Sequence, residues 1–135
     1  MGLFSGVLGG QIVLAGGTSD DYSRWGRNAV CLSENAGFAL YEDVLSKPLA
    51  YGASITLSDG ILCIGGRDSS QCYKDVFLVT MQQGKLNVSE DWPPLPFPLS
   101  NAAGALLDNK VYLFGDRKSV SPSRLSDSFF CAGLV

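Results

Sequence analysis

The chain has 135 residues, 46% of them hydrophobic and 17% charged, which suits one domain with a buried core and excludes a disordered chain. Its net charge of −3, from 10 basic and 13 acidic residues with no basic block, leaves nucleic acid without an electrostatic footprint. Histidine is absent, which removes imidazole bases, histidine-ligated zinc or copper, and Ser-His or Cys-His nucleophiles from this stretch.

The N-terminal fifteen residues are small and apolar, but no Lys or Arg precedes them, so they do not read as a signal peptide. Gly6 stands where a myristoylation motif wants Ser or Thr. No apolar run is long enough to span a membrane, and none is expected. The compartment is not determined by these residues. Phe4-Ser5-Gly6-Val7-Leu8 instead opens a strand pattern, continued by Gln11-Ile12-Val13-Leu14-Ala15-Gly16-Gly17. Ala29–Leu32 and Phe38–Tyr41 follow as further strands.

The pattern then repeats. Ala53–Leu57 leads through the turn Ser58-Asp59-Gly60 into Ile61-Leu62-Cys63-Ile64-Gly65-Gly66, followed by strands at Asp75–Thr80 and Lys85–Val88. A proline-rich crossing, Trp92-Pro93-Pro94-Leu95-Pro96, needs no ladder hydrogen bonds, and Trp92 is expected to pack between repeats. A third copy runs from Ala102–Leu107 through Asp108-Asn109 to Lys110-Val111-Tyr112-Leu113-Phe114-Gly115-Asp116, with Ser128–Cys131 as its third strand. The Gly-Gly sites are spaced at 65 − 16 = 49 and 115 − 65 = 50. Four strands in a repeat of about 50 residues predict an all-β, kelch-type β-propeller fragment of about two and a half blades. The repeats are drawn at about 4–50, 51–100 and 101–135, the last incomplete, in one partial domain.

Four cysteines form no CxxC pair, so no metal site is expected. Cys31, Cys63 and Cys131 lie in apolar strand-like runs and are expected to be buried. Cys72, in a polar loop, is the one expected to be exposed.

In a four-stranded meander, the loops joining the second and third strands share a face with the crossings into the next first strand. That face carries 18–24, 67–74 and 117–124, with Tyr51 and Asn101 on the same rim. Arg67 and Arg117 hold equivalent places 50 residues apart, and either bind a carboxylate or hold their own backbone, Asp68 or Asp116. Tyr51 and Trp25 either stack on a sugar or pack the core.

Pro48-Leu49-Ala50-Tyr51-Gly52 and Leu95-Pro96-Phe97-Pro98-Leu99-Ser100-Asn101-Ala102, with the Gly-Gly elements, resemble the sialic acid mutarotases, or N-acetylneuraminate epimerases, and their cyclically permuted branch. The resemblance runs from about residue 6 to 130. It implies part of a six-bladed propeller that interconverts anomers of N-acetylneuraminate without a cofactor, and is compatible with a periplasmic parent. For such a substrate, the rim positions Arg67, Arg117, Tyr51 and Asn101 are the candidate binding residues. Asp68 is the local candidate for proton transfer if burial raises its pKa. The family's catalytic glutamate has no counterpart located here, and Asp116 departs from the second glycine of the repeat. The chain alone is therefore expected to be inactive, and to need missing blades or self-association. The competing reading is a non-catalytic kelch module that binds protein through the same loops. A copper oxidase of the galactose-oxidase type is excluded for this stretch by the missing histidine ligands.

Overall fold

The computed structural model describes residues 1–116 and 128–133, with side chains through residue 114. Three antiparallel sheets follow one another along the chain. The first holds β1 (Phe4–Leu8), β2 (Gln11–Ala15), β3 (Ala29–Ser33) and β4 (Gly37–Tyr41) in sequence order. The second holds β5 (Ala53–Thr56), β6 (Ile61–Ile64), β7 (Val76–Gln82) and β8 (Lys85–Ser89) in the same order. The third holds β9 (Ser100–Leu107), β10 (Lys110–Asp116) and β11 (Ser128–Gly133). The described residues contain no helix, and the all-β expectation and the hairpins at all three strand-one to strand-two turns are borne out.

Local chemistry explains the hairpins. Gly9 and Gly10 (φ 55° and 78°), Gln83 and Gly84 (52° and 74°), and Asp108 and Asn109 (50° and 62°) each place two successive residues at positive φ. Two such residues match the twist of the flanking strands and close a tight loop. Glycine, asparagine and aspartate tolerate that region best.

Strand alternation sends one side of each sheet against its neighbour. Phe4, Val13, Ala15, Ala29 and Cys31 of the first sheet bury against Ile61, Cys63, Phe77 and Val79 of the second, with Phe4 and Phe77 meeting edge to face at 5.5 Å. The opposite side of the second sheet, Ala53, Ile55, Leu62 and Ile64, buries against Val111 and Leu113 of the third. Leu95 and Leu99 of the proline-rich crossing join that core, and Trp92 packs against it as expected.

The Gly-Gly pairs latch successive sheets together. Gly16 N–H donates to Asn28 O (2.9 Å) and Gly17 N–H to Leu49 O (2.8 Å). One repeat later, Gly65 N–H donates to Asp75 O and Gly66 N–H to Leu99 O, both at 2.8 Å. Each glycine thus turns its amide onto either the residue that precedes the third strand or the incoming crossing. A Cβ on Gly16 or Gly65 would run into the carbonyl oxygen of Leu49 or Leu99. In the third sheet β10 instead runs on through Asp116, which pairs with Ser100 beyond an irregularity after Phe114. The inner strands of the first two sheets are also stitched by hydroxyls. Ser54 Oγ accepts from Ser5 N–H (3.0 Å) and Thr56 Oγ1 from Val7 N–H (3.3 Å).

Cys31 and Cys63 are buried as expected, and burial pushes both thiols up, Cys63 the further. Cys72 overturns its expectation. It is buried, because its loop folds back onto the start of β9 and its thiol donates to Ser100 Oγ at 3.3 Å. The Cys131 side chain lies outside the described residues.

Candidate binding rim

Two loops leave the same end of adjacent sheets, one from β2 to β3 and one from β6 to β7. Both begin with an equivalent backbone pair. Thr18 N–H donates to Met1 O (2.8 Å), and Arg67 N–H to Ala50 O (2.8 Å) while Ala50 N–H returns to Arg67 O (2.9 Å). This pins Arg67 beside the start of the inner strand. Tyr51 follows at once, at φ 62°, and its N–H donates to Gly2 O at 2.8 Å. Asn101 takes the same left-handed conformation one repeat on, at φ 51°.

Each loop is knotted around its own carboxylate. Asp21 accepts from Ser23 Oγ (2.6 Å), Ser19 Oγ (2.7 Å) and Ser23 N–H (3.0 Å), and these bonds, Ser23 first, lower its pKa to about 2. Asp68 accepts from Ser70 N–H (2.8 Å), Gln71 N–H (2.9 Å), Ser70 Oγ (3.0 Å) and the Tyr73 hydroxyl. Burial works to raise the Asp68 pKa, but the hydrogen bonds from Tyr73, Ser70 and Gln71 together outweigh it and hold the group at about 2. The condition on which Asp68 would transfer a proton, a pKa raised by burial, is thus not met. Its oxygens are engaged in shaping the loop, and at neutral pH it has no proton to give.

An acid-stability prediction follows. The Asp68 carboxyl sits below its ordinary value of 3.8, so its contribution is fully present above about pH 4 and is lost as pH falls toward 2. The melting temperature of the parent should fall over that window more steeply than that of Asp68→Asn, and parallel curves would remove Asp68 from this role.

The cation and the aromatic groups converge where the two loops meet. Arg67 Nε donates to Asp68 O (3.2 Å), and its guanidinium carbon lies 5.3 Å from the centre of the Trp25 ring. Both readings of Arg67 are therefore partly met, since one nitrogen holds its own backbone. Among the described residues its two terminal nitrogens have no acceptor. Trp25 is fixed by donating from Nε1 to Tyr22 O (3.0 Å), and the Tyr22 and Trp25 rings lie 6.3 Å apart. The Tyr51 phenol is pushed up first by its hydrogen bond to the Tyr22 side chain, then by burial, against the lowering pull of Arg67.

Of the residues expected at the site, Arg67 and Tyr51 come together, and Trp25 joins them. Among the described residues no contact of this cluster reaches Asn101, and Arg117 lies outside the described residues. Thr18 holds the equivalent place in the first sheet. Tyr22 escaped the sequence reading because it lies in the polar tip Ser19–Ser23. Its φ of 59°, unusual for an aromatic residue, is a property only the fold displays. Among the described residues no group of three or more potential metal ligands gathers.

No protein-family model matches the chain, and no curated protein sequence matches it. Among solved structures it is similar to that of YjhT, a β-propeller, with a TM-score of 0.67 and 11% identity. The match covers 84% of this chain and 42% of that one, so the chain spans less than half of that structure. The likeness is one of fold, and it makes the stacked sheets blades of a β-propeller.

Proposed function

We propose that the rim formed by Arg67, Tyr51, Trp25 and Tyr22 binds a sugar acid, as part of a propeller mutarotase acting on N-acetylneuraminate. The observation that carries the reading is the Arg67 guanidinium, 5.3 Å from the Trp25 ring, with only Nε given to the protein among the described residues. A carboxylate is the natural complement of the two remaining nitrogens, because a planar guanidinium offers it two parallel hydrogen bonds. The aromatic groups beside it suit the apolar face of a pyranose ring and bring hydroxyls for its polar edge. The Pro48–Gly52 and Leu95–Ala102 segments, which resemble the sialic acid mutarotases, support the same substrate class.

The reading assigns binding to this rim. Proton transfer at the anomeric centre is not given to Asp68, whose pKa of about 2 leaves it a weak base and no acid. Calorimetric titration tests the proposal: N-acetylneuraminate should bind saturably, and its methyl ester, which lacks the anion, should not. Equal heats from acid and ester would overturn it.

A further inference from the structure

The two rim loops follow one backbone path. In the first, Gly17 N–H donates to Leu49 O (2.8 Å), Gly26 N–H to Gly17 O (2.9 Å) and Leu49 N–H to Gly26 O (3.3 Å). In the second, Gly66 N–H donates to Leu99 O (2.8 Å), Tyr73 N–H to Gly66 O (2.8 Å) and Leu99 N–H to Tyr73 O (3.1 Å). Arg67 therefore stands where the first loop has Thr18, and Tyr73 where it has Gly26. The first loop follows this path with no side chain at the Tyr73 position, so the path itself does not require the phenol.

The loops treat their carboxylates differently. Asp21 accepts from Ser19 Oγ, Ser23 Oγ and Ser23 N–H, all on Oδ1, and among the described residues nothing donates to its Oδ2. Asp68 likewise accepts from Ser70 N–H, Ser70 Oγ and Gln71 N–H on Oδ1, but its Oδ2 is taken by the Tyr73 hydroxyl. Gln71 Nε2 donates to that hydroxyl oxygen at 3.0 Å, which leaves the phenol proton to Asp68. Lys47 Nζ, paired with Asp75 at 2.7 Å, lies 4.3 Å from the centre of the Tyr73 ring and holds it from one side. The hydrogen bond to Asp68, ahead of burial, pushes the Tyr73 phenol up, so it stays a donor. The extra partner occurs in the loop that carries an arginine. Arg67 precedes Asp68 in the chain and its Nε reaches Asp68 O, but among the described residues no ion pair joins the two side chains.

We propose that Tyr73 is a positioning residue of the rim, whose hydroxyl occupies Asp68 Oδ2 and so keeps the Arg67 guanidinium from pairing with its own neighbour. A carboxylate next to an arginine in the chain is the nearest competitor of any carboxylate ligand. With Oδ2 open, it would take the nitrogens that the ligand needs. Tyr73 thus acts on binding through Asp68 and Arg67, without touching the ligand. The inference rests on the reading of the rim as a carboxylate site.

The parent, Tyr73→Phe, Asp68→Asn and the double variant are titrated calorimetrically with N-acetylneuraminate. Tyr73→Phe keeps the ring beside Lys47 and frees Oδ2, so affinity should fall by roughly twofold to fivefold, the strength of an exposed ion pair. In asparagine, Oδ1 still accepts the bonds from Ser70 and Gln71, while an amide nitrogen replaces Oδ2 and cannot accept from Arg67. The double variant should therefore bind as tightly as Asp68→Asn alone. A hydroxyl that only stiffens the loop predicts the opposite, a double variant no tighter than Tyr73→Phe. A second readout needs no ligand. With Trp92→Phe in every chain, the remaining indole is Trp25. Tyr73→Phe should increase its quenching by acrylamide as Arg67 is drawn off the ring, and Asp68→Asn should reverse the change. This quenching pattern in a parent that does not bind N-acetylneuraminate would overturn the rim reading and leave the positioning role standing. Unchanged quenching in Tyr73→Phe, unchanged affinity where the parent binds, a double variant as weak as Tyr73→Phe, or loss of the β circular dichroism in Tyr73→Phe would each overturn the proposal.

Discussion

Gly65→Ala is expected to destabilise the chain by roughly 2–5 kcal/mol, a large share of the total stability of a domain this size. Two penalties add. Gly65 sits at φ +67°, where an L side chain costs about 1–2 kcal/mol. The new methyl group would also meet the carbonyl oxygen of Leu99, and that carbonyl cannot withdraw without releasing the Gly66 N–H bond of 2.8 Å. Gly84→Ala is the control. Gly84 has nearly the same φ, +74°, but nothing lies within 4 Å of an added Cβ, so only the conformational cost applies. Urea unfolding followed by circular dichroism should show a much larger loss of midpoint for Gly65→Ala. Equal losses would mean that the close approach of the crossing contributes nothing.

Arg67→Ala should weaken N-acetylneuraminate binding by roughly tenfold to a hundredfold, corresponding to a charge-assisted hydrogen-bond contribution of about 1.5–3 kcal/mol. Arg67→Lys should recover only part of the loss, because lysine restores the charge and not the planar fork. Trp25→Ala should also weaken binding, since the indole at 5.3 Å supports the guanidinium from one side. Calorimetry on the parent and the three variants measures this, with circular dichroism confirming an intact fold. Unchanged affinity in Arg67→Ala would confine Arg67 to its bond with Asp68 O and favour the non-catalytic kelch reading.

The repeat was legible because it rests on local rules. Alternating apolar runs, Gly-Gly endings and polar turns recur at fixed spacing, and each dictates its strand or hairpin within a few residues. Cys72 was misplaced because loop composition says nothing of where a loop folds, and this one brings its thiol to Ser100 at the start of β9. The state of Asp68 was open for a related reason. Its burial could be guessed, but the two loop amides, Ser70 and Tyr73 that hold its oxygens depend on the loop's path. Tyr22 reaches Tyr51 across two sheets, a meeting without any signature in either stretch of sequence. The equivalence of Tyr51 and Asn101 could be read from spacing, and their shared positive φ shows that spacing carries conformation as well as position.

The hydroxyls of Ser54 and Thr56 cap the inner edge of the first sheet by accepting the outward amides of Ser5 and Val7. An offset of 50 places Gly104 and Leu106 where the same caps would serve β5, and neither residue has a side-chain oxygen to offer. β9, the edge strand of the third sheet, is eight residues long, largely exposed and without a charged residue or proline. A long, uncharged edge of this kind is a template on which another strand can add by backbone pairing. Such addition along β9 is indifferent to side chains and leads toward fibrils.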